Sequence, residues 1–591
     1  MTQEIGSSKR SGVLVPLFSV YSRKSLGIGD FNDLKLLVDW CEKTNNALLQ
    51  LLPLNEVGAS FCPYDSLSSF ALEPGYIFLE PLINPEKKSL REELKEIAQL
   101  FPNGKPHIDY RIKEEKLHIL RDIFNEYEVI LTEINKFKQD NLYWLEDFAL
   151  FKVLKAFHQG LPWYEWQPKF RNRDKAELEL FKKAHQADIE FQIWLQWLLF
   201  KQLQSVKSYA EEKKIFIKGD LPILVSRDSA DVWAHAEFFK LDFAAGAPPD
   251  MYCAKGQRWG VPTYNWDNIA SDGFHYIKDK LKYAQNFYHL LRIDHVVGLF
   301  RIWSIPYSEP HENQGLNGFF DPRDEAVWGE HGRRLLKVML ESTSMLLCAE
   351  DLGTIPKVCT DSLGFLQIPG NDVQRWVKDW KVRHDFLPAE EYRKCSVTML
   401  STHDTTNWAA WWKYEAGTVD EALFVRKCNS RGIDYTIVRD QLFDRDLSNH
   451  DRLRWLESIN TVEKLIAILA KPREQVADFI ELYINSYLEK EKLWKLLGMK
   501  GEMQEEANTE LIRQALKYNL ATASIFSIQL ITDWLSLAGI FKGDPYPFRI
   551  NTPGLTSEKN WSMTVPISLE ELLKHRVTPE IKKMVTESGR V

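Results

Sequence analysis

Four acidic side chains stand at the ends of short apolar runs, where they could carry acid–base or nucleophilic chemistry. Two carboxyl groups about 5 to 5.5 Å apart can cleave a glycosidic bond with retention, one attacking the anomeric carbon and the other protonating the leaving oxygen. An acid at a strand end is more often a turn former or a helix N-cap, so each one alone is weak evidence. The candidates are Asp220, Asp294, Glu350 and Asp404.

The neighbours of two of these acids favour the chemical interpretation. Arg292 lies two residues before Asp294, so both side chains point to one face of an extended strand. A guanidinium in that place would hold the aspartate ionised and oriented as a nucleophile. His403 precedes Asp404, which puts a neutral donor beside a charged acceptor, a pair suited to sugar hydroxyls.

Glu350 and Asp351 end another apolar run. We expect burial and nearby carboxylates to raise the pKa of Glu350, as a general acid requires near neutral pH. Asp351 has a structural alternative, because an acid in this place can cap the following helix.

The acids need elements that bring them together, and the apolar runs before them indicate buried parallel strands. The runs lack polar alternation, and helical stretches at 274–288 and 332–340 precede two of them. In a (β/α)8 barrel the C-terminal ends of the strands meet at one face, where active sites form. We therefore predict an α/β fold, a (β/α)8 TIM barrel, with the four acids at that face.

The length requires large insertions, because such a barrel needs only about 250 of the 591 residues. Glu350 and Asp404 lie 54 residues apart, which fits two βα units. Asp294 and Glu350 lie 56 residues apart, which predicts an insertion near 307–329 if their strands are neighbours. No linker or repeat divides the sequence. We predict one catalytic domain over 1–591, with mainly helical insertions at about 88–210 and 410–520 and an active-site loop at 240–272.

The segment 246–266 is rich in glycine and proline, which predicts a long irregular loop. Loops that present Tyr and Trp beside polar groups are typical of ligand contacts. The same rings could instead anchor the loop to the body of the protein, and the sequence favours neither interpretation. The candidate contacts are Asp250, Tyr252 and Trp259.

Composition argues against several classes of function. The net charge is -8 with both signs mixed along the chain, so we expect no nucleic-acid partner. Seven scattered cysteines without a C-x-x-C pair indicate neither a zinc ribbon nor a disulfide framework, and they fit a reducing cytoplasm. No apolar run is long enough for a membrane span, and Gly27-Ile-Gly29 lacks the third glycine of a dinucleotide fingerprint. An uncharged ligand fits these features best.

Ordered motifs through most of the chain resemble those of the amylomaltase family, the 4-α-glucanotransferases or disproportionating enzymes of the α-amylase clan. The sequence is most similar to the plant cytosolic type and its bacterial relatives, and we expect no starch-binding modules before the catalytic part. The motifs are Leu26-Gly-Ile-Gly-Asp30, Pro63-Tyr-Asp-Ser-Leu-Ser-Ser-Phe-Ala71, Gly219-Asp-Leu-Pro-Ile223, Pro248-Pro-Asp250, Gly256-Gln-Arg-Trp-Gly260, Leu291-Arg-Ile-Asp-His295, Ala349-Glu-Asp-Leu-Gly353, Thr402-His-Asp404, Asn551-Thr-Pro-Gly554 and Asn560-Trp561.

The resemblance implies retaining transfer of α-1,4-glucan segments or glucosyl units from a donor to an acceptor sugar. Asp294 would be the nucleophile, Glu350 the acid/base and Asp404 the third carboxylate, which holds the distorted ring. The expected partners are α-1,4-glucans, maltooligosaccharides and glucose. The resemblance implies neither a cofactor nor a metal ion.

The resemblance also implies sugar contacts outside the three acids. Tyr64 would stack under the ring at the cleavage site, and the segment from 252 to 266 would guide donor and acceptor. The other implied contacts are Asp220, Asp250, Arg292 and His403.

Two alternatives remain open at the level of sequence. One is an α-glucan hydrolase of the same clan, which would give only shorter products from maltotriose. The other is a glucan-binding protein without activity, which the presence of all three carboxylates makes the weaker alternative.

Overall fold

Short parallel strands with both faces buried occupy the centre of the computed structural model. It describes residues 5–84, 86–126, 131–249 and 255–590. The strands, in chain order, are β1 Arg10–Val15, β2 Leu48–Leu51, β3 Phe216–Leu221, β4 Phe239–Ala247, β5 Gln257–Tyr264, β6 Leu290–Ile293, β7 Ile302–Pro306, β8 Phe319–Asp321, β9 Leu346–Ala349, β10 Gly370–Val373, β11 Lys378–Asp379, β12 Asp385–Phe386, β13 Ser396–Met399, β14 Thr418–Asp420, β15 Phe443–Asn449, β16 Arg452–Trp455 and β17 Phe526–Leu530.

Within these ranges, eight strands pair in parallel in the order β10-β13-β17-β1-β2-β3-β6-β9. Each strand therefore lies beside its predecessor in the chain, and the ring is completed where β9 meets β10. Every residue of β2, β6, β10 and β13 is buried, as expected for parallel strands wrapped by helices. This sheet confirms the predicted (β/α)8 barrel.

Helices surround the barrel. The first begins at Phe31 because the Asp30 carboxylate accepts the N–H groups of Asn32 and Asp33, which caps the helix. In the described part of the chain, no helix is long and apolar enough to cross a membrane. The helices are α1 Phe31–Thr44, α2 Lys88–Leu100, α3 Ile112–Glu126, α4 Leu131–Asp140, α5 Leu145–Phe157, α6 Pro168–Arg171, α7 Lys175–Ala184, α8 Gln186–Glu212, α9 Ala230–Ala234, α10 Trp266–Ser271, α11 His275–Ala284, α12 Glu325–Glu341, α13 Lys357–Phe365, α14 Trp408–Ala410, α15 Glu421–Ser430, α16 Tyr435–Leu442, α17 Val462–Leu469, α18 Ala477–Ser486, α19 Glu489–Leu496, α20 Thr509–Ala521, α21 Ile531–Ser536, α22 Leu569–Leu572 and α23 Val577–Glu587.

One unit of the barrel departs from the βα pattern. Residues 374–395, all of them described, join β10 to β13 through two 3-10 turns and the hairpin β11–β12, without an α-helix. β10 also lacks an apolar run, because Asn371 and Asp372 form its middle. The hydrophobic pattern of the sequence therefore gives no sign of this strand.

Asp351 fastens β9 to β10 where the ring of strands closes. Its carboxylate accepts the N–H of Asn371 at 2.6 Å and the Arg393 guanidinium at 2.5 Å. Arg393 also donates to Asp372 at 2.8 Å, so one cation joins the ends of both strands. The interpretation of Asp351 as a helix cap is wrong, since the residue that precedes α13 is Pro356.

The predicted irregular loop at 246–266 is wrong in its described part. β4 and β5 form an antiparallel hairpin, which joins β7 and β8 in a four-stranded sheet of order β5-β4-β7-β8. Pro262 suggests a loop, but β5 is an edge strand of this sheet and tolerates a residue without an N–H. We call β4 and β5 with their connection the hairpin 239–264. It follows β3 and lies at the C-terminal face of the barrel.

The other long insertions differ in composition. The described residues of 88–210 contain the helices α2–α8, whereas residues 410–520 combine α15–α20 with the small sheet β14-β16-β15. Buried side chains between 419 and 483, among them Phe424, Trp455 and Phe479, form a second hydrophobic core apart from that of the barrel.

Candidate active site

Arg292 and Asp220 form the floor of the candidate site. β3 and β6 place the two residues opposite each other in register. One guanidinium nitrogen, Nη1, donates to both Asp220 oxygens at 2.8 Å and lies 2.8 Å from Asp294 Oδ1. Arg292 therefore contacts two carboxylates at once, of which only Asp294 is expected from the spacing of two residues.

Asp294 and Glu350 leave neighbouring strands at the same level. β6 and β9 are in register through Ile293 and Ala349. Backbone pairing continues beyond them, because the Glu350 N–H donates to Ile293 O at 2.9 Å and the Val296 N–H donates to Glu350 O at 3.1 Å. The two acids thus stand side by side at the C-terminal end of the barrel.

Burial changes the proton affinity of both carboxyl groups. It raises the pKa of Asp294 to about 8, with the charges of Asp220, Glu350 and Asp404 adding to the effect and Arg292 opposing it. Only 24% of the Asp294 side-chain surface remains exposed. Burial also raises the pKa of Glu350, as expected. Arg292 favours the ionised form of Asp294, as expected, but it does not offset burial, which keeps the pKa of this carboxyl above its ordinary value.

Tyr64, His403 and Trp561 form an aromatic wall beside the acids. The Tyr64 hydroxyl donates to Asp220 Oδ2 at 2.7 Å, and its ring stacks on His403 with centroids 5.2 Å apart and planes 14° apart. Trp561 lies 5.7 Å from Tyr64 and 6.0 Å from His403. Burial lowers the pKa of His403, so the imidazole is neutral and can donate to a sugar hydroxyl.

Asp404 follows β13 and is held by residues that are distant in sequence. Asn551 Nδ2 donates to Asp404 Oδ1 at 2.7 Å, and His403 Nε2 lies 3.4 Å from Oδ2. Arg549 donates to the Asp404 backbone oxygen at 3.1 Å. The carboxylate is 46% exposed, so it is oriented yet open to a ligand.

The hairpin 239–264 brings Trp259 to the same site. Its indole meets the ring of His295 edge-on, with centroids 4.8 Å apart, and is 37% exposed. His295 directly follows Asp294 in the sequence. Asp250 and Tyr252 lie outside the described residues.

Three residues near the acids have no role in the sequence predictions. They are Asn551, Trp561 and His295. All three stand inside the quoted motifs, but nothing in their local sequence indicates contact with Asp404, with Tyr64 or with Glu350. A polar side chain that contacts an acid 147 positions away gives no periodic signal.

The chemistry of the site is that of carboxylates and rings. In the ranges that the structure describes, no group of three or more His, Cys, Asp or Glu side chains is placed to hold a metal ion. Two adjacent carboxyls, one guanidinium and a flat aromatic wall can cleave and re-form an acetal bond of a neutral sugar.

Comparison with known proteins agrees with this geometry. The family model described as 4-alpha-glucanotransferase matches residues 15–569. The 4-alpha-glucanotransferase of Chlamydia pneumoniae is 33% identical over 584 residues, 97% of this chain and 94% of that protein. The 4-alpha-glucanotransferase DPE2 of Oryza sativa is 36% identical over 324 residues, 53% of this chain and 34% of that protein.

Among solved structures, the amylomaltase of Streptococcus agalactiae in complex with acarbose superposes with a TM-score of 0.74 at 22% identity. The match covers 98% of this chain and 99% of that one. At this identity the structural similarity shows the fold alone, whereas the family model and the sequence relatives show the family. The chain is therefore a member of the 4-alpha-glucanotransferase family.

Proposed function

We propose that this chain moves α-1,4-glucan segments or glucosyl units from a donor to an acceptor sugar by double displacement, with Asp294 as nucleophile and Glu350 as acid/base. The observation that carries the proposal is the pair of carboxyls at the ends of neighbouring strands β6 and β9, one buried and one 24% exposed, with Arg292 against the latter. Family membership supports the reaction class, and the pair supplies the two groups that retention requires.

In the first half-reaction, Asp294 attacks the anomeric carbon while Glu350 gives its proton to the leaving glycosidic oxygen. The bond to the leaving sugar breaks as the bond to the Asp294 carboxylate forms. Burial raises the pKa of Glu350, which favours the protonated form that this step requires. Arg292 stabilises the ionised nucleophile once the substrate is bound.

In the second half-reaction, Glu350 takes the proton of an incoming sugar hydroxyl, whose oxygen displaces Asp294 from the anomeric carbon. The configuration is inverted twice and therefore retained. We assign Asp404, held by Asn551, to the sugar hydroxyls of the distorted ring, and Tyr64 to its apolar face. Asp220, His403 and Arg292 complete the contacts at the cleavage point.

Substrate class follows from the same surfaces. The amylomaltase that shares the fold binds acarbose, and aromatic faces beside hydrogen-bonding groups suit neutral sugars. We propose α-1,4-glucans and maltooligosaccharides as donors, and maltooligosaccharides or glucose as acceptors. We propose that Trp259, Asp250 and Tyr252 meet the acceptor side.

We also propose that residues 1–591 act as one catalytic unit in the cytoplasm. Asn551 and Trp561 reach the site from beyond the insertion at 410–520, which supports one unit. The six cysteines in the described residues are unpaired, which supports a reducing compartment.

Incubation with maltotriose tests the function. Transfer gives glucose together with products longer than maltotriose, whereas hydrolysis gives only shorter sugars, and chromatography separates the two outcomes. Asp294→Asn is the matched control and should abolish both product series. Turnover that survives in this variant would refute the assignment of the nucleophile.

A further inference from the structure

His295 has an unusual backbone conformation next to the nucleophile. Its φ and ψ are 44° and 53°, in the left-handed region that non-glycine residues seldom adopt. In this conformation the N–H points at the acid/base and donates to Glu350 Oε2 at 2.7 Å. Strain of this kind persists where the surrounding structure requires it, and it gathers at functional sites.

Glu350 is held at both oxygens by backbone donors. Leu352 N–H donates to Oε1 at 2.9 Å, while His295 supplies the donor for Oε2. Donors to a carboxylate favour its charged form, and these two oppose the burial that raises the pKa of Glu350. The His295 N–H therefore affects both the direction and the basicity of the group that must take a proton from the acceptor.

The ring of His295 connects the same residue to the hairpin 239–264. It packs edge-on against the exposed Trp259, and Gly298 leaves it space on another side. A Cβ on Gly298 would lie 3.0 Å from His295 Cδ2, and 2.9 and 3.0 Å from the Cδ1 atoms of Ile223 and Ile302. Burial, aided by Arg292 and Arg301, lowers the pKa of His295 to about 4, so the ring acts by packing and carries no charge.

We propose that His295 is a positioning residue that couples the acceptor side to the acid/base. Its ring packs against Trp259, and its backbone N–H holds the carboxylate of Glu350 in place. The inference rests on the proposed transfer reaction. A sugar seated on Trp259 restricts the His295 ring, and the restricted backbone keeps Glu350 directed at the acceptor hydroxyl. Water makes no such contact with Trp259, so the coupling favours sugar over water.

Two glycosyl donors, maltotriose and α-maltosyl fluoride, distinguish a loss of this role from general damage to the fold. Maltotriose needs a proton from Glu350 to release its leaving sugar, whereas the fluoride of α-maltosyl fluoride departs without one. Formation of the glycosyl-enzyme from the fluoride therefore reports Asp294 alone. It also shows that a variant is folded.

Substitutions of His295 then distinguish the contribution of its backbone conformation from that of its ring. His295→Val disfavours the left-handed conformation and should lower kcat on maltotriose about 10- to 100-fold, a part of the 10²- to 10⁴-fold that acid–base catalysis supplies. Its first turnover with the fluoride should stay within about threefold of the wild type, because no proton is needed there. His295→Gly keeps the conformation without the ring, so turnover should persist while the hydrolysed fraction rises. His295→Asn, a residue that tolerates this conformation, should restore more maltotriose turnover than Val.

A change outside residue 295 gives an independent test. In Gly298→Ala the new Cβ meets the flexible ends of Ile223 and Ile302 as well as the His295 ring. Because the isoleucine ends can give way while the ring is packed against Trp259, the change should raise hydrolysis relative to transfer. Gly364→Ala is the matched control, since its Cβ would meet no atom within 4 Å. Equal losses on both donors in His295→Val, or an unchanged product ratio in both His295→Gly and Gly298→Ala, would overturn the coupling. Failure of the wild type to elongate maltotriose would instead refute the proposed function, whatever the variants do.

Discussion

Replacing Arg292 by methionine should remove the positive charge at the floor of the site while the side chain keeps a similar volume. The guanidinium lies 2.8 Å from Asp294 Oδ1 and donates to both oxygens of Asp220. Methionine fills similar space but leaves two close carboxylates without a cation. We therefore expect Asp294 to hold its proton more tightly, and less of the nucleophile to be ionised at a given pH.

The structure sets the size of this effect. At about 4 Å between charge centres and an effective dielectric constant of about 20, the lost attraction is about 4 kcal/mol. Since 1.36 kcal/mol is a factor of ten, the ionised fraction at pH 7 should fall about a thousandfold. Because the side chain of Arg292 is only 7% exposed and that of Asp294 24%, water can replace little of this attraction.

Single-turnover release of fluoride from α-maltosyl fluoride measures this fraction directly. The Arg292→Met rate should rise about tenfold per pH unit above pH 7, as the nucleophile regains its charge. Arg292→Lys keeps a cation without the planar fork and should lose about tenfold, with no such recovery at high pH. Adding Asp220→Asn to Arg292→Met removes one like charge and should restore part of the rate. A large loss with a flat pH profile would refute the reasoning and leave Arg292 an orienting role only.

Three further predictions concern the acids, the acceptor side and the base of the barrel. With maltotriose, kcat/KM should fall at alkaline pH as Glu350, whose pKa burial raises, loses the proton that it must donate, and this fall should be absent with α-maltosyl fluoride. Trp259→Ala should raise the ratio of hydrolysis to transfer about twofold or more, since the ring covers the acceptor side. An unchanged ratio would contradict that role. Arg590→Met removes donors to three backbone oxygens of residues 520–524. A loss of about 4 kcal/mol, at about 2.1 cal/mol/K of unfolding entropy per residue of the barrel and its helical insertion, should lower the Tm of the barrel transition by about 3 to 4 °C. An equal Tm in scanning calorimetry would show that water replaces the donors.

Much of the barrel is predictable because its strands are short, apolar and followed by acids. The runs before Asp220, Asp294, Glu350 and Asp404 all form strands of the barrel, and the family is confirmed. This success has a physical basis, since strands buried on both faces are mostly apolar and barrel active sites form at their C-terminal ends.

The remaining features depend on tertiary contacts that leave no local pattern. β10 contains Asn371 and Asp372, and it is held by Arg393 and Asp351 from outside the strand. The hairpin 239–264 contains Pro262, whose breaking effect disappears at an edge. The proton affinity of Asp294 depends on how completely the site excludes water, which spacing to Arg292 cannot reveal.

The second hydrophobic core, between 419 and 483, bears on how the molecule tolerates heat. Apolar burial stabilises the region in which it occurs, so two separate cores need not melt together. Amides of α15–α18 should exchange with deuterated solvent before those of the barrel strands, and a protease should nick that region first. His450 of this region stacks on Tyr546, in the segment that also carries Asn551, the residue that holds Asp404. Early opening of the region should therefore loosen Asp404, and turnover should be lost at a lower temperature than the native structure of the barrel.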